Sequence, residues 1–244
     1  METLFQKQQS LLARTDLSFK RYMFDKFPWN SRMAGLIGPR GVGKTTMLLQ
    51  YIREQKNKYI LYVSADDIHF ANQRLTELAD EFYKNGGKHL FIDEIHKYKD
   101  WSVELKNIYD FYPDLKVCFT GSSVLDIRKG MADLSRRALM FSMQGFSFRE
   151  FLKFRYNIDV PVHSMKDIMN NRISLLESVE HPLPLFREYL KSGYYPMAKE
   201  DNFDIRLGQI LNVTLEVDIP QFANLSVTTA RKLKKLLLIL SESV

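Results

Sequence analysis

Residues 38–46 decide the fold, and they read Gly38-Pro39-Arg40-Gly41-Val42-Gly43-Lys44-Thr45-Thr46. The stretch fits the phosphate-binding pattern G-x-x-x-x-G-K-[ST] at every fixed position. An apolar run, residues 33–37, precedes it, and a segment with helical character, residues 47–52, follows it. This strand–loop–helix context is the one that the pattern requires. We therefore predict that all nine residues form a loop that binds the phosphates of a nucleotide.

The residue types in this loop explain how it would hold phosphate. Glycine has no β-carbon, so the backbone at Gly38, Gly41 and Gly43 can turn successive amide groups towards phosphate oxygens. A helix that begins near Lys44 adds the positive end of its dipole. We predict that Lys44 bridges the β- and γ-phosphates and that the Thr45 hydroxyl is a ligand of Mg²⁺.

A second short motif ends in two acids. Residues 89–94 read HLFIDE, an apolar strand followed by Asp93 and Glu94. At the carboxyl end of a parallel strand, Asp93 is placed to hold Mg²⁺ directly or through water. Glu94 can orient and deprotonate an attacking water, which predicts hydrolysis and not binding alone. The alternative is a solvated acidic turn after a core strand, and the phosphate loop upstream argues against it.

Length and composition are those of a globular protein. Of the 244 residues 45% are hydrophobic, enough for an α/β domain and a smaller second domain each to form a core. No apolar run approaches the ~20 residues of a membrane span, and residues 1–7 lack the apolar centre of a secretory signal. The single cysteine, Cys118, lies in an apolar run and is expected to be a buried thiol. Together these features predict a cytoplasmic protein with no membrane partner.

The positive charge leaves nucleic acid open as a partner. The net charge is +6, but the positive residues are scattered along the chain. The densest cluster, residues 231–235, can equally be the solvated face of a helix. Tyr194 and Tyr195 can stack on bases, although core packing is the more common use of such aromatics.

Strands and helices alternate along the first part of the chain. We predict strands at 33–37, 59–64, 88–93, 115–120 and 139–143, and helices at 44–54, 71–84 and 102–112. Such alternation predicts a parallel sheet with helices on both faces.

The rest of the chain reads as helical. Ser147 and Glu150 form a capping box that opens a helix, and further helices are predicted at 164–178, 184–191, 203–217 and 227–240. We divide the chain into a helical lead-in (1–32), an ATPase core (33–157) and a lid-type helical domain (158–244). The last helix has a large apolar face that needs more protein to pack on, so either it closes the helical domain or the chain is a truncated fragment, and we expect the second.

With these motifs in place, the chain resembles the bacterial and archaeal ATPases of the AAA superfamily known as AAA-type domain 14. The likeness covers residues 33 to about 152, with weaker traces to about 240. GPRGVGKTT resembles the family's phosphate loop, LFIDEIHK its Walker B strand, and CFTGSS, residues 118–123, its sensor segment. The resemblance implies a P-loop NTPase three-layer sandwich with strand order 5-1-4-3-2 and a smaller all-helical domain. It also implies ATP and Mg²⁺ as ligands.

The sensor segment adds two candidates to the site. In the family a polar side chain at this strand end contacts the γ-phosphate or the attacking water, and by position Thr120 or Ser122 would do so here. The alternative is an ordinary strand-to-helix turn in which a serine caps the helix.

A further stretch, residues 134–152, resembles the family segment in which a Gly-Arg pair precedes a Ser-Phe pair. Arg137 falls on the arginine, whereas Arg136 stands where the family usually has glycine. By this resemblance Arg137 acts as an arginine finger at the nucleotide of a neighbouring subunit, with Arg136 as the second candidate. The alternative is a surface ion pair between Arg137 and Asp133 or another acid.

These features lead to one main functional hypothesis and two alternatives. The main hypothesis is a magnesium-dependent ATPase whose hydrolysis drives a conformational switch. The alternatives are a nucleotide-binding scaffold or sensor with negligible turnover and a nucleic-acid-associated ATPase. Glu94 favours the ATPase over the scaffold with negligible turnover. No stretch of the sequence indicates the basic, aromatic-lined groove that a nucleic-acid-associated ATPase needs. ATP over GTP follows from the resemblance and from the absence of an Asn-Lys-x-Asp motif. A homo-oligomer and an unidentified protein partner are further expectations.

Overall fold

A computed structural model of the chain describes residues 1–55, 57, 59–122, 134–170, 179, 181–220 and 226–242. The strands within them are β1 (Met33–Ile37), β2 (Ile60–Ser64), β3 (His89–Asp93), β4 (Lys116–Gly121) and β5 (Leu139–Ser142). The α-helices within them are α1 (Glu2–Arg14), α2 (Met23–Lys26), α3 (Lys44–Gln55), α4 (Leu75–Lys84), α5 (Trp101–Phe111), α6 (Phe148–Tyr156), α7 (Met165–Met169), α8 (Pro182–Glu188), α9 (Phe203–Val213) and α10 (Val227–Glu242). Short 3-10 or π-helical turns lie at Ile68–Ala71, Ile95–Lys97, Tyr189–Gly193, Pro196–Lys199 and Thr214–Asp218.

The strands form one parallel sheet in the order β2-β3-β4-β1-β5. This is the predicted order 5-1-4-3-2 read from the other edge, so the expected P-loop topology is confirmed. β4 lies between β1, which leads into the phosphate loop, and β3, which ends in Asp93. Because all strands are parallel, the residues that follow Ile37, Asp93 and Gly121 gather at the carboxyl edge of the sheet, where ligands of such sheets bind.

The sheet is covered on both faces, because alternate residues of a strand point to opposite sides. Ile92 and Phe119 belong to a core that the sheet forms with α1, α4 and α5. Phe91 and Cys118 belong to a core on the other face, formed with α3. The resulting three layers are those predicted. The Cys118 thiol is buried, as predicted, and burial raises its pKa.

The predicted strand bounds agree with the structure to within one residue. Two helix starts differ more, because the helix predicted at 184 begins at Pro182 and the helix predicted at 71 begins later. We predict a helix from Ala71, but Ala71 ends a 3-10 turn and α4 begins at Leu75. Two carboxylates set this start by accepting hydrogen bonds from free backbone amides at the helix end. Glu77 accepts from the amide of Arg74 at 3.0 Å, and Glu104 accepts from the amide of Thr76 at 2.9 Å.

The chain after β5 is helical, as predicted. α6 begins at the expected capping box, in which the Ser147 amide donates to Glu150 Oε2 at 3.0 Å and the Glu150 amide to Ser147 Oγ at 3.3 Å. Of the predicted helix 164–178, residues 165–169 form α7, and residues 171–178 lie outside the described residues. The division of the chain at residue 157 stays a prediction. Among the described residues, no helix has both the length and the apolar content that crossing a membrane requires.

Candidate functional site

The phosphate loop joins β1 to α3 at the carboxyl edge of the sheet. Two of its glycines have positive φ, +79° at Gly41 and +95° at Gly43. Residues with a β-carbon rarely adopt this conformation, so the backbone itself favours glycine at both positions, of which only Gly43 is fixed by the phosphate-binding pattern. The Gly38 amide donates to Gly121 O at 3.2 Å, which fixes the start of the loop to the end of β4.

Lys44 lies under the loop and is nearly inaccessible, with 4% of the residue exposed. Its Nζ donates to Gly38 O and to Pro39 O, at 2.9 Å in each case. Burial lowers the pKa of Lys44, and the nearby carboxylates of Glu94 and Asp93 oppose that effect. The ammonium is therefore a desolvated cation held by two neutral carbonyl oxygens, and an anionic oxygen would be a better partner for it.

Asp93, at the end of β3, is buried and has hydrogen-bond donors on both carboxylate oxygens. Thr45 Oγ1 donates to Asp93 Oδ2 at 2.6 Å, and the Tyr62 hydroxyl donates to the same oxygen at 2.9 Å. Thr120 Oγ1 donates to Asp93 Oδ1. The two predicted metal ligands, Thr45 and Asp93, are thus in direct contact.

The donor set of this contact fits Mg²⁺. A hydroxyl and a carboxylate are the hard oxygen ligands that Mg²⁺ prefers, and this ion usually takes its remaining ligands from water and phosphate. Within the part of the chain that the structure describes, no group of three or more His, Cys, Asp or Glu side chains is arranged to hold a metal ion.

Glu94 follows Asp93 in a left-handed conformation, with φ 50° and ψ 40°. A non-glycine residue in this region is strained by roughly 1 kcal/mol or more, and such strain often marks a functional site. Its amide donates to Thr120 Oγ1 at 3.1 Å, and its carboxylate accepts from the Ser122 hydroxyl at 2.6 Å. Both sensor candidates therefore contact the acids, Thr120 as a buried brace for Asp93 and Ser122 as a donor to Glu94.

His96 is a further neighbour of Glu94. Its Nδ1 accepts a hydrogen bond from the Ser122 amide at 3.4 Å, and its Nε2 lies 3.4 Å from Glu94 Oε2. A neutral imidazole that accepts at Nδ1 carries its proton on Nε2. His96 Nε2 therefore lies near the same carboxylate oxygen that Ser122 contacts.

The other predicted residues occupy different environments. Arg40 is partly exposed, Thr46 is exposed on the first turn of α3, and Val42 is fully buried with its carbonyl bonded to Arg21.

Arg137 lies away from the phosphate loop of its own chain. Its Nε and Nη2 donate to Asp110 Oδ1 and Oδ2 at 2.8 and 2.9 Å. Arg137 precedes β5 and Asp110 lies near the end of α5, which precedes β4, so both are at the amino edge of the sheet. Arg136 is exposed next to this pair, and Asp133 lies outside the described residues.

Side chains of the helical region lie near two glycines of the loop. A methyl group at Gly41 would stand 3.4 Å from Met197 Cε and 3.5 Å from Ile210 Cδ1, and one at Gly43 would stand 3.9 Å from Pro196. Gly41 itself stays exposed, so these side chains are neighbours of the loop that leave its glycines partly open.

The structure adds residues that our sequence reasoning missed. Tyr62 and His96 contact the two acids, and Arg21 contacts the loop. A histidine two positions after Glu94 was a visible signal, whereas Tyr62 reads as an ordinary strand aromatic. Arg21 lies in the lead-in, where nothing in the local pattern indicates a contact with residues 38–46.

Comparisons with known proteins identify the family to which the chain is similar. A family model described as an AAA domain, AAA_14, matches residues 30–152. An uncharacterized protein, MJ1637 of Methanocaldococcus jannaschii, is 29% identical over 208 residues, which are 78% of this chain and 44% of that protein. The chain thus spans less than half the length of this relative.

Two solved structures resemble the chain at low identity. The Walker-type ATPase PABY2304 of Pyrococcus abyssi is 16% identical with a TM-score of 0.42, and the match covers 84% of this chain and 75% of that one. AMPPCP-bound DnaA from Aquifex aeolicus is 11% identical with a TM-score of 0.42, covering 98% of this chain and 89% of that one.

Proposed function

This chain belongs to the AAA_14 family of AAA domains, and we propose that it is a magnesium-dependent ATPase whose hydrolysis of ATP drives a conformational switch. The observation that carries the proposal is the contact of Thr45 with Asp93, at 2.6 Å, beside a loop that holds Lys44. Bound magnesium would be held by these two oxygens with phosphate oxygens and would offset phosphate charge.

The proposed reaction uses three side chains in sequence. Lys44 exchanges its carbonyl partners for oxygens of the β- and γ-phosphates. Glu94 accepts a proton from a water molecule as the water oxygen attacks the γ-phosphorus, and the bond between that phosphorus and ADP breaks. Ser122 holds the Glu94 carboxylate in place. ADP and inorganic phosphate then leave.

The packing of the helical region supports the switch. Met197 and Ile210 lie near Gly41 of the loop, so a loop that moves when phosphate binds can come into contact with them. We propose that loss of the γ-phosphate is transmitted to the helical region through these contacts.

One observation favours a scaffold with negligible turnover as a second candidate. Glu94 Oε2 accepts the Ser122 hydroxyl and also faces His96 Nε2. The Ser122 hydroxyl already occupies this oxygen, and an attacking water would have to compete with it for the carboxylate. Slow hydrolysis would be consistent with this arrangement. A nucleic-acid-associated role rests on the net charge of +6 alone, and a protein partner and a cytoplasmic location remain proposals.

Removing the Thr45 hydroxyl should remove the magnesium dependence of ATP binding. In the wild type we expect Mg²⁺ to tighten binding of a fluorescent ATP analogue, since the ion would join Thr45 and Asp93 to the phosphates. In Thr45→Ala the affinities with Mg²⁺ and with EDTA should become similar, whereas Thr45→Ser should behave like the wild type. A Thr45→Ala protein that keeps the full magnesium effect would contradict the assigned ligand.

Arg137 should act in trans if it is the finger, because it lies at the amino edge of its own sheet. The test mixes Lys44→Ala protein, which keeps the arginine, with Arg137→Ala protein, which keeps the phosphate site. We expect the mixture to recover ATPase activity that each variant lacks, since a finger contributes about 10³–10⁵ in rate. Arg136→Ala serves as the neighbouring comparison. An Arg137→Ala protein that is fully active alone would leave only the Asp110 ion pair as its role.

A further inference from the structure

A buried ion pair lies between the segment before α2 and the start of α6. Arg21 Nε donates to Glu150 Oε1 at 2.7 Å, and the two side chains are 6% and 7% exposed. Arginine and glutamate are almost never buried to this extent unless they are paired. Neither residue contacts Asp93 or Glu94, so the reason for placing two charges in the interior has to come from their other contacts.

The rest of the guanidinium binds backbone carbonyls. Nη1 donates to Val42 O at 2.6 Å, and Nη2 donates to Gln144 O and Gly145 O at 2.9 Å each. The planar fork of arginine can make all of these contacts at once, and the single ammonium of lysine cannot reproduce them. Arg21 therefore ties the outer side of the phosphate loop to the segment that follows β5.

Glu150 fixes the guanidinium from the opposite side. Its Oε1 also accepts from the Tyr22 amide at 3.1 Å, and its Oε2 accepts from the Ser147 amide at 3.0 Å. Burying two charges costs nearly as much as their attraction returns, so such a pair contributes little stability compared with an apolar pair. We therefore expect the ion pair between Arg21 and Glu150 to matter chiefly because it holds the guanidinium in one position.

We infer that Arg21 is a positioning residue for nucleotide binding, because it fixes the direction of the Val42–Gly43 peptide of the phosphate loop. The inference rests on the proposed function. In a trans peptide the C=O and the following N–H point in opposite directions. With the Val42 carbonyl held by Arg21 on the outer side, the Gly43 amide points to the inner side, where the phosphates bind.

Three variants separate positioning from stability. Arg21→Lys keeps the charge but loses the fork. Glu150→Gln leaves the arginine fork in place but weakens the contact that holds it, because an amide NH2 group then faces N–H donors. Glu104→Gln is the matched control, because Glu104 is also a buried carboxylate paired with an arginine, Arg74, but it caps α4 instead of bracing the loop. For each protein, calorimetry gives the Kd values of MgATP and MgADP and the unfolding temperature.

Arg21→Lys should raise both Kd values by about tenfold or more, since the Gly43 amide serves phosphates that ATP and ADP share. Glu104→Gln should lower the unfolding temperature but leave both Kd values within about threefold of the wild type. Glu150→Gln should raise both Kd values, but less than Arg21→Lys does, because the guanidinium keeps its fork and loses only part of its support. Should Arg21→Lys not fold, Glu150→Asp replaces it. This change draws the carboxylate and the guanidinium away from Val42, and we expect a weaker rise in Kd.

Wild-type affinity in Arg21→Lys, or in Glu150→Asp where it is used, would overturn the inference and leave the proposed function intact. Equal weakening in Glu104→Gln at the same loss of unfolding temperature would also overturn it, because the effect would then be one of stability. A wild-type protein that does not bind ATP would overturn the proposed function and the inference together.

Discussion

Replacing Lys44 with alanine should abolish nucleotide binding, the largest effect that we expect from one side chain. Lys44 is the buried cation of the loop, and its present partners are the carbonyls of Gly38 and Pro39. Charge-assisted hydrogen bonds to phosphate in a desolvated site are among the strongest that a protein makes. Their loss should weaken binding of MgATP by about a hundredfold or more. Titration with a fluorescent ATP analogue measures this directly.

The same variant should remain folded, which makes the result easy to interpret. Burying an ammonium costs free energy, so its removal relieves a penalty that the folded protein carries without phosphate. The unfolding temperature of Lys44→Ala should therefore stay close to that of the wild type. Lys84→Ala is the control, because Lys84 is exposed and paired with Asp80. A folded Lys44→Ala protein with wild-type affinity would remove Lys44 from the site.

Glu94→Gln should preserve nucleotide binding and lower turnover. The amide has the size of the carboxylate and can still accept the Ser122 hydrogen bond, but it cannot take a proton from water. Loss of a general base typically costs about 10²–10⁴ in rate. Steady-state phosphate release measures the rate, and titration of the same protein with the ATP analogue measures binding.

A surface glutamate provides the control for this variant. Glu54 pairs with Lys20 at the protein surface, so Glu54→Gln should leave both rate and affinity unchanged. If the wild type releases phosphate well above the level of Lys44→Ala and Glu94→Gln is as fast, Glu94 is not the base. If the wild type binds ATP but releases phosphate no faster than Lys44→Ala, the scaffold is favoured.

Much of the fold could be predicted because short stretches of sequence indicate the type of each secondary-structure element. The apolar run of β1 is followed by the phosphate loop, and that of β3 ends in two acids. These two patterns together indicate a nucleotide-binding site. The alternation of strands with helices predicts a parallel sheet. The strand order followed from the family resemblance, since spacing alone does not say which strands are adjacent. The structure confirmed that order.

The parts that escaped prediction depend on contacts between distant segments. Arg21 and Glu150 are separated by most of the core domain and meet only after the sheet has formed. Tyr62 contacts Asp93 from the adjacent strand β2, and a tyrosine in a strand does not by itself predict such a contact. For Arg137, the sequence led us to predict an arginine finger, with an ion pair to Asp133 or another acid as the alternative. The partner Asp110 is identified only by the structure, because residues 110 and 137 are far apart in the chain.

The most direct test of the central claim is release of labelled phosphate from γ-labelled ATP by the wild-type protein, with Mg²⁺ and with EDTA, beside Lys44→Ala. We predict phosphate release that requires Mg²⁺ and disappears in Lys44→Ala, because both the ion and the lysine act on the transferred phosphoryl group. Wild-type phosphate release that never exceeds that of Lys44→Ala would contradict the proposal that this chain hydrolyses ATP.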